Sequence, residues 1–202
     1  MGTTQANLKP SEYLAQIFEE TIAAQRRFFH DYGENLIKGA KMMGDSIAGG
    51  GKILIFGNGG SAADAQHMAA ELVGRMLVER GPLPALALTT DTSNLTAIGN
   101  DYGFEHVFTK QIQALAKKGD VVVAISTSGN SPNVLEAVRE ARKKGCLSIA
   151  MTGGVGGKLK QECDLVLNVE LGKNSCRIQE AHGFAIHCLV DILDRFFLPG
   201  AL

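Results

Sequence analysis

No apolar run in the sequence outlasts a strand; Val121–Ile125 is typical of the longest. A bilayer-crossing helix needs about 20 such residues, so no transmembrane helix is expected. Met1 to Lys9 is polar and lacks the apolar centre of a signal peptide. Residues 1–10 are therefore expected to be a flexible tail, and the chain to be cytoplasmic. Excess charge is missing as well. The net charge of -1 leaves no broad basic field for nucleic acid. The four cysteines, Cys146, Cys163, Cys176 and Cys188, show no CxxC spacing, which excludes a disulfide scaffold and leaves reduced thiols. A P-loop, GxxxxGK[ST], is absent, and Gly57 to Gly60 lacks the GxGxxG spacing of a dinucleotide site. No Pro/Gly/Ser-rich linker interrupts residues 11–202, which are expected to form one domain with a substantial core.

What the chain does have is glycine, 24 residues of it, gathered at the ends of short apolar runs. Lys52–Phe56, Pro84–Thr89, Val121–Ile125, Cys146–Met151 and Asp164–Val169 read as five strands. Between and around them helical periodicity marks Ser11–His30, Glu34–Ile47, Ala62–Glu79, Leu95–Asn100, Phe104–Lys117, Pro132–Lys144 and Ser175–Phe197, with Ser11 as the first N-cap. Nearly continuous apolar strands alternating with helices predict an α/β three-layer sandwich: a five-stranded parallel sheet flanked by helices. Two N-terminal helices exceed what so small a sheet can cover, so they are expected to pack against another subunit.

Ser126-Thr127-Ser128-Gly129-Asn130-Ser131-Pro132 follows a buried strand and opens a helix. Ser131 suits the N-cap and Pro132 the first helical position. Backbone N–H groups and the positive end of the helix dipole make that start an anion site. Four hydroxyls add donors for phosphate oxygens, and no Lys or Arg lies in the loop. A capped turn alone would need only one of them. Asn58, Gly59, Gly60 and Ser61 form a second strand–loop–helix corner, and a sugar phosphate has two polar ends to hold.

His67 and Glu71 lie one helical turn apart and share a face, and imidazole with carboxylate suits zinc. The closing helix carries Gln179, Glu180, His182 and His187 ahead of an apolar tail. Either histidine suits general acid–base work; a polar helix start with a core histidine is the bland alternative.

Together GNGGSAADAQHMAAEL, TAIGNDYG, AISTSGNSPNV and RIQEAHGFAIH, in this order between about residues 50 and 190, resemble the sugar isomerase (SIS) family of phosphosugar-binding domains. The closest likeness is to its branch acting on seven-carbon sugar phosphates. The resemblance implies aldose–ketose isomerisation of D-sedoheptulose 7-phosphate to D-glycero-D-manno-heptose 7-phosphate, a step towards nucleotide-activated heptose for bacterial lipopolysaccharide. It also implies a homotetramer with active sites between subunits and one zinc per subunit. By motif, His67, Glu71, Gln179 and His187 become metal ligands, and Glu71 and His187 the acid–base pair. Substrate contacts fall on Asn58, Gly59, Gly60, Ser61, Glu71, Asn100, Asp101, Ser126, Thr127, Ser128, Ser131 and Gln179. Cys176 matches no motif; Ser175 is the neighbouring polar side chain.

A regular helix separates Gln179 from His187 by about 12 Å. Either Gln179 precedes the regular helix or one of the two comes from a neighbouring subunit. The alternative function is a non-catalytic SIS protein that binds the replication initiator DnaA, against which Glu71 and His187 argue. A sugar-phosphate sensor lacks its DNA-binding module here.

Overall fold

The structure is a computed structural model that describes residues 8–197. Residues 1–7 of the expected tail lie outside it, and Pro10 is already helical. The elements run α1 (Pro10–Ala48), β1 (Ile53–Gly57), α2 (Gly60–Val73), β2 (Ala85–Ala87), α3 (Thr92–Tyr102), α4 (Thr109–Leu115), β3 (Val121–Ile125), α5 (Pro132–Lys143), β4 (Leu147–Gly153), α6 (Leu159–Glu162), β5 (Leu165–Val169) and α7 (Ser175–Phe197). The five strands form one parallel sheet in the order β2-β1-β3-β4-β5. This is the three-layer α/β architecture expected from the strand pattern.

Side-chain alternation divides the core between the two faces. Ile53, Ile55, Val121, Val123, Ile125, Ile149 and Met151 point to the side covered by α1, α2 and α7. Leu54, Phe56, Val122, Ala124 and Ala150 point to the side covered by α4 and α5. A strand buried on both faces has few polar positions to spare, which is why the central strands β1 and β3 read as unbroken apolar runs.

The expectation of two N-terminal helices is corrected: α1 is one helix of 39 residues. Gly33, in the gap left between the two expected helices, keeps helical geometry, and a Cβ there would meet only the Phe29 ring at 3.5 Å. Ser11 is not the cap. Lys9 occupies the N-cap, Pro10 the first turn, and the Lys9 backbone N–H donates to Glu12 Oε2 at 3.0 Å. Gly39 lies where a Cβ would stand 3.1 Å from Leu165 and Leu189, so its bareness lets α1 settle onto β5 and α7.

Helix α2 stops at Val73, six residues short of the predicted end at Glu79. The cause is Arg80. Its Nη1 donates to the carbonyls of Leu72 (2.9 Å) and Gly74 (2.8 Å), and its Nη2 to that of Glu71 (2.8 Å), satisfying C-terminal carbonyls that a continued helix would have used. The chain then turns back, and the Leu83 N–H reaches the Leu72 carbonyl at 3.0 Å. The predicted helix Phe104–Lys117 is a 3-10 turn at Phe104–His106 followed by α4, and the short α6 was not anticipated.

His182 on α7 is fully buried, with Nε2 3.1 Å from the Thr152 carbonyl at the end of β4. Burial pushes its pKa down to about 4, so the ring is neutral in the folded chain near neutrality. It serves packing, leaving His187 as the histidine open to chemistry. Because the unfolded chain takes up that proton first, stability drops as pH falls from about 6.5 to about 4, by about 3 kcal/mol at most. Urea unfolding from pH 7 to 4.5 is expected to show a steeper loss for the wild type than for His182→Gln. Parallel curves would contradict this.

Candidate active site

In an open parallel sheet a crevice forms where neighbouring strands send their connections to opposite sides. Here that point lies between β1 and β3: β1 pairs with β2 on one edge and β3 on the other, with Gly57 opposite Ile125. Both hydroxyl- and amide-bearing corners, Asn58–Ser61 and Ser126–Ser131, leave the sheet there side by side. Their helices, α2 and α5, cover opposite faces.

The two corners are tied directly. Asn58 Nδ2 donates to Asn133 Oδ1 and Asn133 Nδ2 to Asn58 Oδ1, each at 2.9 Å. This reciprocal amide pair fixes both side chains, and Asn133 is 2% exposed. Asn133 escaped sequence reasoning, since an asparagine in the first helical turn looks like ordinary N-terminal punctuation. A cavity of about 530 Å³ opens beside them, lined by Asn58, Phe104, Glu105, Ser131, Pro132 and Asn133.

In the hydroxyl loop Ser126 is buried and Ser128 exposed. Ser131 stands at the N-cap position of α5 with Pro132 next, as expected, but its hydroxyl does not cap the helix. It lies 2.9 Å from Ser126 Oγ instead, with Ser128 Oγ 3.5 Å from the same atom. Three hydroxyls thus face one another at the helix start, where the dipole favours an anion. The start of α6 braces the loop: the Leu159 N–H donates to the Gly129 carbonyl at 3.0 Å and the Lys158 N–H to Asn130 Oδ1 at 3.1 Å.

Helices α2 and α7 bring the titratable groups together. His67 Nε2 lies 3.0 Å from Glu71 Oε1 and 3.4 Å from His187 Nε2, and Glu71 Oε1 lies 3.7 Å from His187 Nε2. Ligand atoms around a tetrahedral zinc at about 2.0–2.1 Å stand about 3.3–3.4 Å from each other. The three donors therefore span one face of such a tetrahedron. Glu71 Oε2 is buried with no hydrogen-bond partner among the described residues, while both imidazoles are exposed, so the fourth direction is open. The donor set and its spacing fit a metal ion.

Gln179 does not join them within one chain. It lies in α7, so of the two alternatives the one that put Gln179 before the regular helix does not hold. Its amide rests against Gly60, where any Cβ would overlap it. That contact is two turns, about 10 Å, along α2 from His67. Asn100 and Asp101 sit exposed on the last turn of α3, where Asn100 Nδ2 donates to Asp101 Oδ1 at 2.7 Å. Sequence reasoning also passed over Asp64, one turn before His67. Burial raises its carboxyl above the usual range, and Oδ2 has no partner among the described residues. Its i, i+3 spacing to His67 was the available signal.

A family model describing the SIS domain matches residues 16–153. Over 189 residues the chain is 53% identical to the phosphoheptose isomerase of Solidesulfovibrio magneticus, covering 94% of this chain and 92% of that protein. Among solved structures, it is similar to the phosphoheptose isomerase of Neisseria gonorrhoeae, with a TM-score of 0.87 and 48% identity over 92% of this chain and 99% of that one. The phosphoheptose isomerase of Francisella tularensis gives a TM-score of 0.89 with 39% identity, over 93% of this chain and all of the other.

Gly129 has φ +65, and a Cβ there would collide with the Gly156 carbonyl. Left-handed geometry alone costs a side chain about 1–2 kcal/mol, before the collision is counted. Gly129→Ala is expected to lower Tm by at least about 2 °C and to weaken sugar-phosphate binding. A thermal melt matching the wild type would contradict this account of the loop.

Proposed function

The chain belongs to the SIS domain family, and on that premise we propose that it converts D-sedoheptulose 7-phosphate to D-glycero-D-manno-heptose 7-phosphate, with zinc held by His67, Glu71 and His187. It is an aldose–ketose isomerase, like the relatives it matches across nearly its full length. The observation that carries the residue assignment is the convergence of one carboxylate and two imidazoles from α2 and α7, with α2 opening at the Asn58–Ser61 corner beside the hydroxyl loop. The alternative as a DnaA-binding protein without catalysis has no use for such a group.

The hydroxyls of Ser126, Thr127, Ser128 and Ser131, with the N–H groups that open α5, hold the phosphate. Asn58, Gly59, Gly60 and Ser61 bound the other side of the crevice, and Asn100, Asp101 and Gln179 take sugar hydroxyls. Gly60 stands about 10 Å from His67 along α2, so the substrate must be long and extended to bridge corner and acid–base pair. Glu71 takes the proton from C1 of the ketose and returns it to C2, while His187 moves the hydroxyl proton between O1 and O2. The two groups converge, Glu71 Oε1 being 3.7 Å from His187 Nε2, as a shared substrate edge requires. Zinc, when bound, supplies a Lewis acid that polarises the carbonyl and offsets enediolate charge.

The proposal extends to a homotetramer with α1 in its interface. Tyr13, Leu14 and Phe18, the apolar stripe that opens α1, stay exposed in the single chain. A cavity lined by Met76, Leu77, Phe184, His187 and Cys188 leaves an apolar surface beside the acid–base group. Both are supported as subunit contacts by their apolar exposure. A neighbouring subunit would also bring a second Gln179 towards the metal. The product would feed nucleotide-activated heptose for bacterial surface polysaccharide. No helix among the described residues is long and apolar enough to cross a membrane.

Incubation with D-sedoheptulose 7-phosphate is expected to yield the aldose, to stop with chelator and to resume with zinc. Glu71→Gln and His187→Gln should each lower kcat by about 10²–10⁴-fold with unchanged circular dichroism. Near-normal turnover in both variants would overturn the acid–base assignment.

A further inference from the structure

Arg80 and Asp194 form an ion pair in which both side chains are 2% exposed, with Arg80 Nε donating to Asp194 Oδ1 at 2.8 Å. Neither residue belongs to the motifs that carry the chemistry. A buried pair of this kind is weak evidence for stability, because removing two charges from water offsets most of their attraction. What it supplies here is geometry. The guanidinium is a planar fork, and its remaining donors go to the carbonyls of Glu71, Leu72 and Gly74. One rigid group therefore grips the main chain of Glu71 itself and closes the last turn of α2. Through Asp194 the same group is pinned to α7, seven residues beyond His187 and on the same helical face.

We propose that Arg80 and Asp194 are positioning residues that fix the separation of Glu71 from His187 and so set the geometry of the metal group. This rests on the zinc reading above. With the fork in place, the Glu71 carboxylate and the His187 ring hold their 3.7 Å spacing without relying on the ion to draw the helices together. Without it, the end of α2 frays, and the ion must order it at each binding event. Lysine cannot substitute, as a single ammonium reaches Asp194 or the carbonyls but does not hold all of them in one plane.

The test is a titration of metal-free protein with Co²⁺ as a coloured stand-in for zinc, together with kcat, KM and thermal melts, on the wild type, Arg80→Lys and Asp194→Asn. Val138→Ala, in the core on the opposite face of the sheet, serves as a destabilised control. The proposal expects both variants to fold, to bind Co²⁺ about 10–100-fold more weakly, to show an altered visible spectrum, and to lose kcat with little change in KM. The control should keep wild-type cobalt affinity at a lowered Tm. Folded variants with wild-type affinity, spectrum and kcat would overturn the proposal, as would an equal loss of affinity in the control. If Arg80→Lys does not fold, Asp194→Asn is read alone. Failure of both to fold assigns the pair to folding and overturns the positioning role. A wild type that binds no Co²⁺ refutes the metal reading itself, before any variant is compared.

Discussion

Helices α2 and α7 lie side by side and run in the same direction, and the chemistry depends on that alignment. Each follows a strand of one parallel sheet, so each starts at the same edge and points the same way. Their first turns touch where Gly60 leaves room for the Gln179 amide. Their middles meet at His67, Glu71 and His187. Their far ends are joined by Arg80 and Asp194. A side chain at Gly60 would displace the Gln179 amide from this contact.

The sheet order supplies the other half of the site. Because β1 lies between β2 and β3, the connections from β1 and β3 part company and leave a crevice at their carboxyl ends. Two loops of small residues line it, and the Asn58–Asn133 amide pair keeps them in register. With no cation in either loop, an anion there is met by hydroxyls, backbone N–H groups and a helix end. Such a site relies on the direction of its donors more than on net charge, which explains how a chain of net charge -1 suits a phosphorylated ligand.

Much of this was legible in the residues. Strands such as Val121–Ile125 declare themselves because burial on both faces removes every polar position. His67 and Glu71 declare themselves because four residues make a helical turn. Other features were hidden for equally physical reasons. Gly33 falls in the gap left between the two expected helices, but a glycine in a long helix packed along its length costs too little to stop it. The end of α2 is decided by Arg80, whose partners are carbonyls and a carboxylate 114 residues away, and no local pattern announces them. Ser131 reads as a capping residue, yet the tertiary neighbour Ser126 takes its hydroxyl. Long-range partners, not local propensity, decided the last two cases.

The central claim is that one ion and one phosphate occupy two linked parts of a single crevice. Anomalous diffraction at the zinc edge, from crystals grown with D-sedoheptulose 7-phosphate, tests it most directly. The account predicts a zinc peak within ligand distance of His67 Nε2, Glu71 Oε1 and His187 Nε2, with the phosphate against Ser126, Ser128 and Ser131. A zinc peak on other residues, or a phosphate bound away from that loop, would contradict it.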